Sequence, residues 1–221
     1  MFGRWSETIH SWFRSAPEPV GGGRPPEMSS DMTTALEIER QALHDIAKGE
    51  PLDEVLRRMT LAIEASAEVE TLASVLLTDE GERHLLIGAA PSLPDAYNDA
   101  IHGVAVGPEA GSCGTAVYSR QSVFVTDILQ STLWRAYEPL ATAHGLRSCW
   151  SIPIRAADGR ILGTFALYHR TPRAPTPADV DKINLLGSIA AVAIDRWRAQ
   201  EALRRSEARC RELEAEAAGR G

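Results

Sequence analysis

Residues 149–169 read CWSIPIRAADGRILGTFALYH, two apolar runs divided by Asp158-Gly159. Asp-Gly between such runs supplies the positive φ that a tight hairpin turn requires, so Cys149–Ile154 and Leu162–His169 are expected to pair as antiparallel strands. This pair anchors the reading of the chain, because the elements on either side of it have to complete a sheet and cover it.

Downstream, Pro172, Pro175 and Pro177 close the strand region. From Ala178 to about Ala218 there is no proline, and Pro177 stands where a helix favours it, so one long helix is expected. Its first half carries Val180, Ile183, Leu186, Ile189, Ala190, Ala193 and Trp197, enough apolar surface to pack on a sheet. Its second half, RAQEALRRSEARCRELEAEA, is highly charged and keeps Leu203, Cys210 and Leu213 on a sparse heptad-like seam. A lone charged extension buries little, so a parallel dimeric coiled coil leading onward is expected there.

Upstream, Leu72–Leu77 and His84–Ala89 flank the turn Asp79-Glu-Gly81 and read as a second antiparallel pair. Before them, Leu36, Ile38, Leu43 and Ile46 point to a helix that starts near Asp31 or Thr33 and ends at Gly49 and Pro51. Leu52, Val55, Leu56, Met59 and Ile63 give the next segment, Leu52–Ser66, an apolar stripe suited to covering a sheet. Between the two strand pairs come a loop holding Pro91, Pro94 and Gly103, a short strand at Ser122–Thr126, and a segment from Asp127 to His144 expected to hold one or two short helices.

Length and composition bound the rest. A chain of 221 residues holds one core of about 150 residues with appendages. A net charge of −7 argues against nucleic acid as a partner. The longest purely apolar run, Ile189–Ile194, is far short of the roughly 20 residues of a membrane span, so no transmembrane segment is expected. Three scattered cysteines and no signal-peptide pattern point to a reducing, cytoplasmic setting. Phe2, Trp5, Ile9, Trp12 and Phe13 would share one face of a helix, which reads either as a membrane-surface or partner-docking helix or as a frayed leader. Residues 15–31, rich in Pro, Gly and Ser, read as a linker.

The remaining motif is GSCGTAVYSRQSVFVTDI, residues 111–128. A cysteine near a helix start has its thiolate favoured by unpaired backbone N–H groups, so Cys113 reads either as a reactive thiol or as a small residue in a crowded turn. Together with HGLRSCWSIPIRAADGRILGTFALYHRTPRAPTPADVDKINLLGSIAAVAIDR, residues 144–196, this motif makes the chain resemble the GAF domain, a small-molecule sensing module of bacterial signalling proteins. The resemblance runs from about residue 34 to 198. It implies an α+β fold: a central antiparallel sheet of about six strands, helices on one side, a ligand pocket on the other and a long C-terminal helix. The organisation expected is a flexible leader and linker at 1–31, a GAF sensory domain at 32–198 and a signalling helix at 199–221. That last segment looks like the helix joining GAF domains to PAS domains, histidine kinases or diguanylate cyclases, so the implied host is a sensor histidine kinase or cyclase type of signal-transduction protein. No histidine-kinase His box or cyclase signature follows it before Gly221, which reads as a truncated product or a sensor acting through a partner.

The resemblance also frames the chemistry. Free methionine-R-sulfoxide reductases share the Gly-x-Cys-Gly-Thr-Ala motif, which Cys113 matches. Their further cysteines fall where this chain has His102-Gly103 and Trp134–His144, and neither Cys149 nor Cys210 stands in an obviously equivalent place. Reduction of a sulfoxide needs a second thiol to resolve the adduct, so the enzyme reading is the alternative and a non-enzyme the expectation. Bilin attachment would need a Cys-His pair near Ala136 and Tyr137, which is missing. Haem in a gas or redox sensor would use His144 as axial ligand, against the reading of His144 as a helix C-terminal residue. The cyclic-nucleotide signature of the family is absent, and the cofactor is left unknown.

The candidate ligand-binding residues are Thr115, Asp127, Trp134, Tyr137, His144, Cys149, Trp150, Ser151, Thr164 and Tyr168, because the family fold brings their segments together. Trp150 on an alternating strand reads as core more often than as a ligand shelf, and Asp127 after a strand reads as a helix cap. No catalytic or metal-binding residue is assigned. The function expected is that of a sensory module, part of a two-component or related system. It would bind a small-molecule effector, form a homodimer through the C-terminal helix and pass ligand state to a histidine kinase, PAS or other output domain.

Overall fold

The structure is a computed structural model that describes residues 30–218. The aromatic stretch at 2–13 and nearly all of the expected linker lie outside the described residues. In chain order the elements are α1 (Ser30–Lys48), α2 (Leu52–Ala65), β1 (Thr71–Thr78), β2 (His84–Ala89), α3 (Asp95–Ile101), β3 (Val104–Ala105), α4 (Gly111–Ser119), β4 (Val123–Val125), α5 (Glu138–Ala143), β5 (Ser148–Arg155), β6 (Ile161–His169) and α6 (Pro177–Ala218). Two 3-10 turns, Ile128–Gln130 and Thr132–Trp134, precede α5.

The strands form one six-stranded sheet, ordered β3-β2-β1-β6-β5-β4, with every pairing antiparallel. At its centre β6 pairs with both β1 and β5. The Asp158-Gly159 turn is as expected: Gly159 has φ 88°, and the Asp158 carboxylate accepts the Arg160 N–H at 3.0 Å. Gly163 is required by packing. A Cβ built there would lie 2.1 Å from the Leu76 carbonyl oxygen of β1.

Alternation along the central strands divides the core in two. On one face Val75, Trp150, Ile152, Phe165 and Leu167 pack against α2 and the first half of α6, where Ile183, Leu186, Ile189, Ala190 and Ile194 are buried. Gly187 brings α6 close to β5, with Ile152 Cδ1 occupying the place a Cβ would take. α1 completes this layer through Ile38, Ala42 and Ile46. On the other face Leu72, Leu76, Cys149, Ala166 and Tyr168 pack against α3, α4 and the 127–146 segment.

The strand pairs, α1, α2 and α6 lie within a residue or two of their expected limits. The loop expected around Pro91 and Pro94 is instead organised, with α3 starting after Pro94 and burying Tyr97 and Ile101. A short edge strand, β3, follows Gly103 (φ 81°). The second half of α6 stands clear of the sheet: Leu203 and Leu213 are exposed and Glu201–Glu212 ion pairs are local. No helix among the described residues is long and apolar enough to cross a membrane.

Candidate functional site

α4 lies across the sheet face opposite the long helix and begins the site. Gly111 adopts φ 62°, and its αL conformation turns the chain into the helix directly beneath the Trp134 indole, which a Cβ would approach to 3.7 Å. Gly114 is needed because a Cβ there would meet that of Ala110 at 2.5 Å. The first turn of α4 therefore sits low on the sheet, with Ser112 and Cys113 buried.

Beneath it the sheet offers a small grid of side chains set by register. Leu72, Tyr168 and Cys149 lie side by side across β1, β6 and β5, followed by Ser74, Ala166 and Ser151, then Leu76, Thr164 and Pro153. The floor is thus apolar with a central group of hydroxyls and thiols. Cys113 Sγ lies 3.8 Å from the Tyr168 hydroxyl, and Ser74 Oγ lies 3.4 Å from the same hydroxyl. Ser112 Oγ donates to the Cys149 carbonyl at 3.1 Å and accepts from Trp134 Nε1 at 2.9 Å. That hydroxyl ties the 3-10 segment, the helix and the sheet together.

Above the floor is a small cavity of about 30 Å³. Leu76, Tyr97, Ile101, Trp134, Tyr137 and Tyr168 form most of its wall, with Ser112 and Cys113 supplying polar atoms. Tyr97 stands edge-on to Tyr168 at 6.0 Å between centroids. The lining is apolar with a few polar atoms, and the cavity as it stands has room for about two waters, so anything larger requires its wall to move.

The electrostatics centre on the thiols. The neighbourhood of Cys149, together with the hydroxyls of Ser151, Thr164 and Tyr168, outweighs burial and lowers the Cys113 thiol to about 6. Burial, followed by the neighbouring Cys113 sulfur, pushes Cys149 the other way, well above the ordinary thiol range. Tyr97 and Tyr168 are likewise raised, chiefly by burial, and stay neutral.

The expected site residues divide accordingly. Trp134, Tyr137 and Tyr168 line the cavity, and Cys149, Ser151 and Thr164 lie on the floor around Cys113. Thr115 faces away and donates to the Pro108 carbonyl at 3.2 Å. Asp127 caps the first 3-10 turn by accepting the Leu129 N–H and pairs with Arg147 at 3.1 Å, as the capping reading expected. His144 ends α5 and sets its ring edge-on to Tyr97 at 5.6 Å without entering the cavity wall; among the described residues no imidazole lines that wall. Trp150 lies on the other side of the sheet, since it alternates with Cys149 and Ser151. Its ring is 4.4 Å from that of His169, Arg173 lies over it at 5.1 Å, and Nε1 donates to the Arg173 carbonyl at 3.0 Å. Tyr97, Ile101 and Ser112 were not anticipated. Ser112 could have been found from its place beside Cys113, whereas Tyr97 sits in a helix hidden by flanking prolines.

An antiparallel sheet with long helices on one face and a small cavity roofed by short elements on the other defines an α+β domain of the GAF type. The chain belongs to the GAF domain family, which it matches over residues 49–195. It is 33% identical over 177 residues to the methyl sulfide methyltransferase-associated sensor of Methanosarcina acetivorans, covering 79% of this chain but only 17% of that protein. Among solved structures it resembles a GAF sensor protein from Burkholderia vietnamiensis (TM-score 0.60, 19% identity, 74% of this chain and 94% of that one). It is also similar to free methionine-R-sulfoxide reductase from Neisseria meningitidis in complex with its substrate (TM-score 0.60, 14% identity, 82% of this chain and 98% of that one). At these identities the structural likenesses establish the fold alone.

Proposed function

We propose that this chain is a sensory GAF module that binds a small, mostly apolar effector in the cavity above Tyr168 and reports its presence through α6. The observation that carries the reading is the placement of cavity and helix on opposite faces of one sheet, the cavity over Leu76 of β1 and Tyr168 of β6 and the helix against β5 and β6. A relative named as a sensor supports it.

Contacts suited to transmission run through the sheet. Trp134 on the cavity wall is bonded to Ser112, and Ser112 to the Cys149 carbonyl. The next residue, Trp150, holds the Arg173 carbonyl on the other face, and the Arg173 guanidinium holds Asp179 in the first turn of α6 at 3.2 Å. Asp179 in turn accepts from the Thr176 N–H, fixing where the helix starts. Where α6 leaves the sheet, Arg198 donates to the carbonyls of Thr78 and Leu162, at 2.7 and 3.2 Å. An effector that favours one arrangement of residues 127–147 over another shifts the balance between two settings of α6 by its difference in affinity for them. The exposed second half of α6 then carries the change to a dimer partner or output domain, in a cytoplasmic signalling protein.

Native mass spectrometry of freshly purified protein tests the binding half of this reading. A small-molecule adduct is expected, and Val104→Trp, which fills the cavity from the edge strand, should lose it. An adduct retained by that variant places the ligand elsewhere.

A second reading, thiol-dependent reduction of a sulfoxide, draws on Cys113, a thiol on the cavity wall. Turnover of free methionine sulfoxide that is lost in Cys113→Ser would favour it.

A further inference from the structure

A roomier cleft lies on the other face of the sheet, where α2 stops and α6 begins. It holds about 160 Å³, against about 30 Å³ over Tyr168, and its wall is shared by the end of α2, by β1, β5 and β6, and by the first turns of α6. Register puts Thr71 of β1 beside His169 of β6, and both line it. The Thr71 hydroxyl donates its proton to the Val69 carbonyl at 2.9 Å, which leaves its lone pairs to accept. His169 is 2% exposed and bonded at Nδ1 to the Ser148 hydroxyl at 3.0 Å, while its Nε2 is buried without a partner among the described residues. With Ser148 donating to Nδ1, Nε2 carries the ring hydrogen, so Thr71 and His169 set an acceptor and a donor side by side. An unpaired buried donor is costly, and the cleft is where its partner would come from.

Arg173 supplies the charge. Its N–H donates to the Thr126 carbonyl at 2.9 Å, its own carbonyl accepts from Trp150 Nε1 at 3.0 Å, and its guanidinium lies over the Trp150 ring at 5.1 Å. Nη2 is engaged by both Asp179 oxygens at 3.2 Å, whereas Nε and Nη1 bond to nothing among the described residues. The guanidinium is thus held in place with part of its fork open. Ala178 and Asp179, in the first turn of α6, line the same cleft, so the positive end of that helix dipole faces it. On the wall Arg173 and Lys182 balance Glu68 and Asp179, which suits a ligand with a single negative charge better than a phosphate ester.

We propose that this cleft is a second binding site, taking a small hydroxy acid whose carboxylate meets the open edge of the Arg173 guanidinium and whose hydroxyl pairs with Thr71 and His169. A guanidinium edge matches the two oxygens of a carboxylate. A hydroxyl both donates and accepts, as the Thr71 oxygen and the His169 Nε2–H together require; a keto group would leave Thr71 without a donor, and a methyl group would leave both unmet. His169 suits this role because burial, and then the Arg173 charge, lower it to about 4, so it donates one hydrogen without adding charge. The occupant would touch the first turn of α6 and the guanidinium that holds Asp179, and so act on the start of the helix without passing through the cavity over Tyr168. The proposal goes beyond the sensory reading and does not depend on what fills that cavity.

The test is an NMR titration of the 221-residue chain with lactate and 3-hydroxybutyrate, each beside its counterpart without the hydroxyl, propionate and butyrate. At least one hydroxy acid should saturate the amide shifts of Thr71, His169, Arg173 and residues 178–182, in about the millimolar range expected of so small a ligand. Its counterpart should bind on the order of tenfold more weakly. Arg173→Gln should weaken binding on the order of tenfold or more. Because Arg173 also anchors the start of α6, Thr71→Val serves as the milder variant: it keeps the shape of the wall and should abolish the preference for the hydroxy acid. The absence of saturable shifts with either acid, equal binding of both members of each pair, or a preference that survives Thr71→Val overturns the proposal. So does saturation by inorganic phosphate where neither acid binds. Shifts confined to residues 127–147 and lost in Val104→Trp overturn it too, since they place the acid in the cavity over Tyr168. An effector adduct in native mass spectrometry, without hydroxy-acid binding here, leaves the sensory reading standing and removes only this one.

Discussion

At the scale of single residues, buried groups set by register decide the behaviour. Gly163 is the sharpest packing constraint, because the Leu76 carbonyl of β1 occupies the space a side chain would need. Backbone cannot move aside as a flexible side chain does, so Gly163→Ala should destabilise the fold by about 1–3 kcal/mol or more, read as a lowered midpoint in urea unfolding. His169 carries a pH dependence. It is 2% exposed, bonded through Nδ1 to Ser148 at 3.0 Å, and lowered to about 4, first by burial and then by the Arg173 guanidinium, with Asp179 opposing. The unfolded chain binds this proton near the ordinary 6.5 while the folded chain refuses it until about 4. This contribution to stability is therefore full above pH 6.5 and falls away as the pH drops towards 4. The thermal midpoint should fall between pH 7 and 5, and His169→Gln should flatten that fall. An equal fall in the variant would assign the effect to other groups. The contact between Cys113 and the Tyr168 hydroxyl is not legible in the sequence. Spacing along a chain carries no information about which residue of a distant strand lies under a helix, whereas Gly111 and Gly114 did announce the tight entry that puts Cys113 there.

At the scale of elements, the parts governed by local chemistry were legible and those governed by tertiary contact were not. The β5–β6 hairpin follows from Asp-Gly between apolar runs, and α2 from an apolar stripe at helical spacing. Pro91 and Pro94 point to a loop where α3 stands, yet Pro94 is only its N-terminal flank, and what stabilises the helix is burial of Tyr97 and Ile101 against the sheet. Trp150 was a candidate on both faces until the register fixed it opposite the cavity. α6 combines two regimes in one element: up to Arg198 it is held by the sheet, and beyond that Leu203 and Leu213 are open on an otherwise charged surface. An isolated charged extension gains little from burial, so its seam is expected to pair with a second copy. Deleting residues 199–221 should shift the protein from dimer towards monomer in light scattering. An unchanged dimer would place the interface elsewhere, such as along α1.

At the scale of the whole molecule, the two cores share one sheet, and neither can rearrange at β5 or β6 without involving the other. The cavity layer is made of short elements, while the opposite layer is made of long helices ending in a projecting one. The family is legible from motif order alone, while the cavity is not: its wall is assembled from α3, α4 and the 127–147 segment, and its shape appears only when they meet. The central claim is that filling the cavity alters α6. Amide hydrogen exchange measures this most directly, comparing protein as purified with protein freed of its adduct by unfolding and refolding. Emptying the cavity should speed exchange both in residues 127–147 and in the first turns of α6, around Asp179–Leu186. A change confined to residues 127–147, with exchange in α6 unaltered, would contradict the claim.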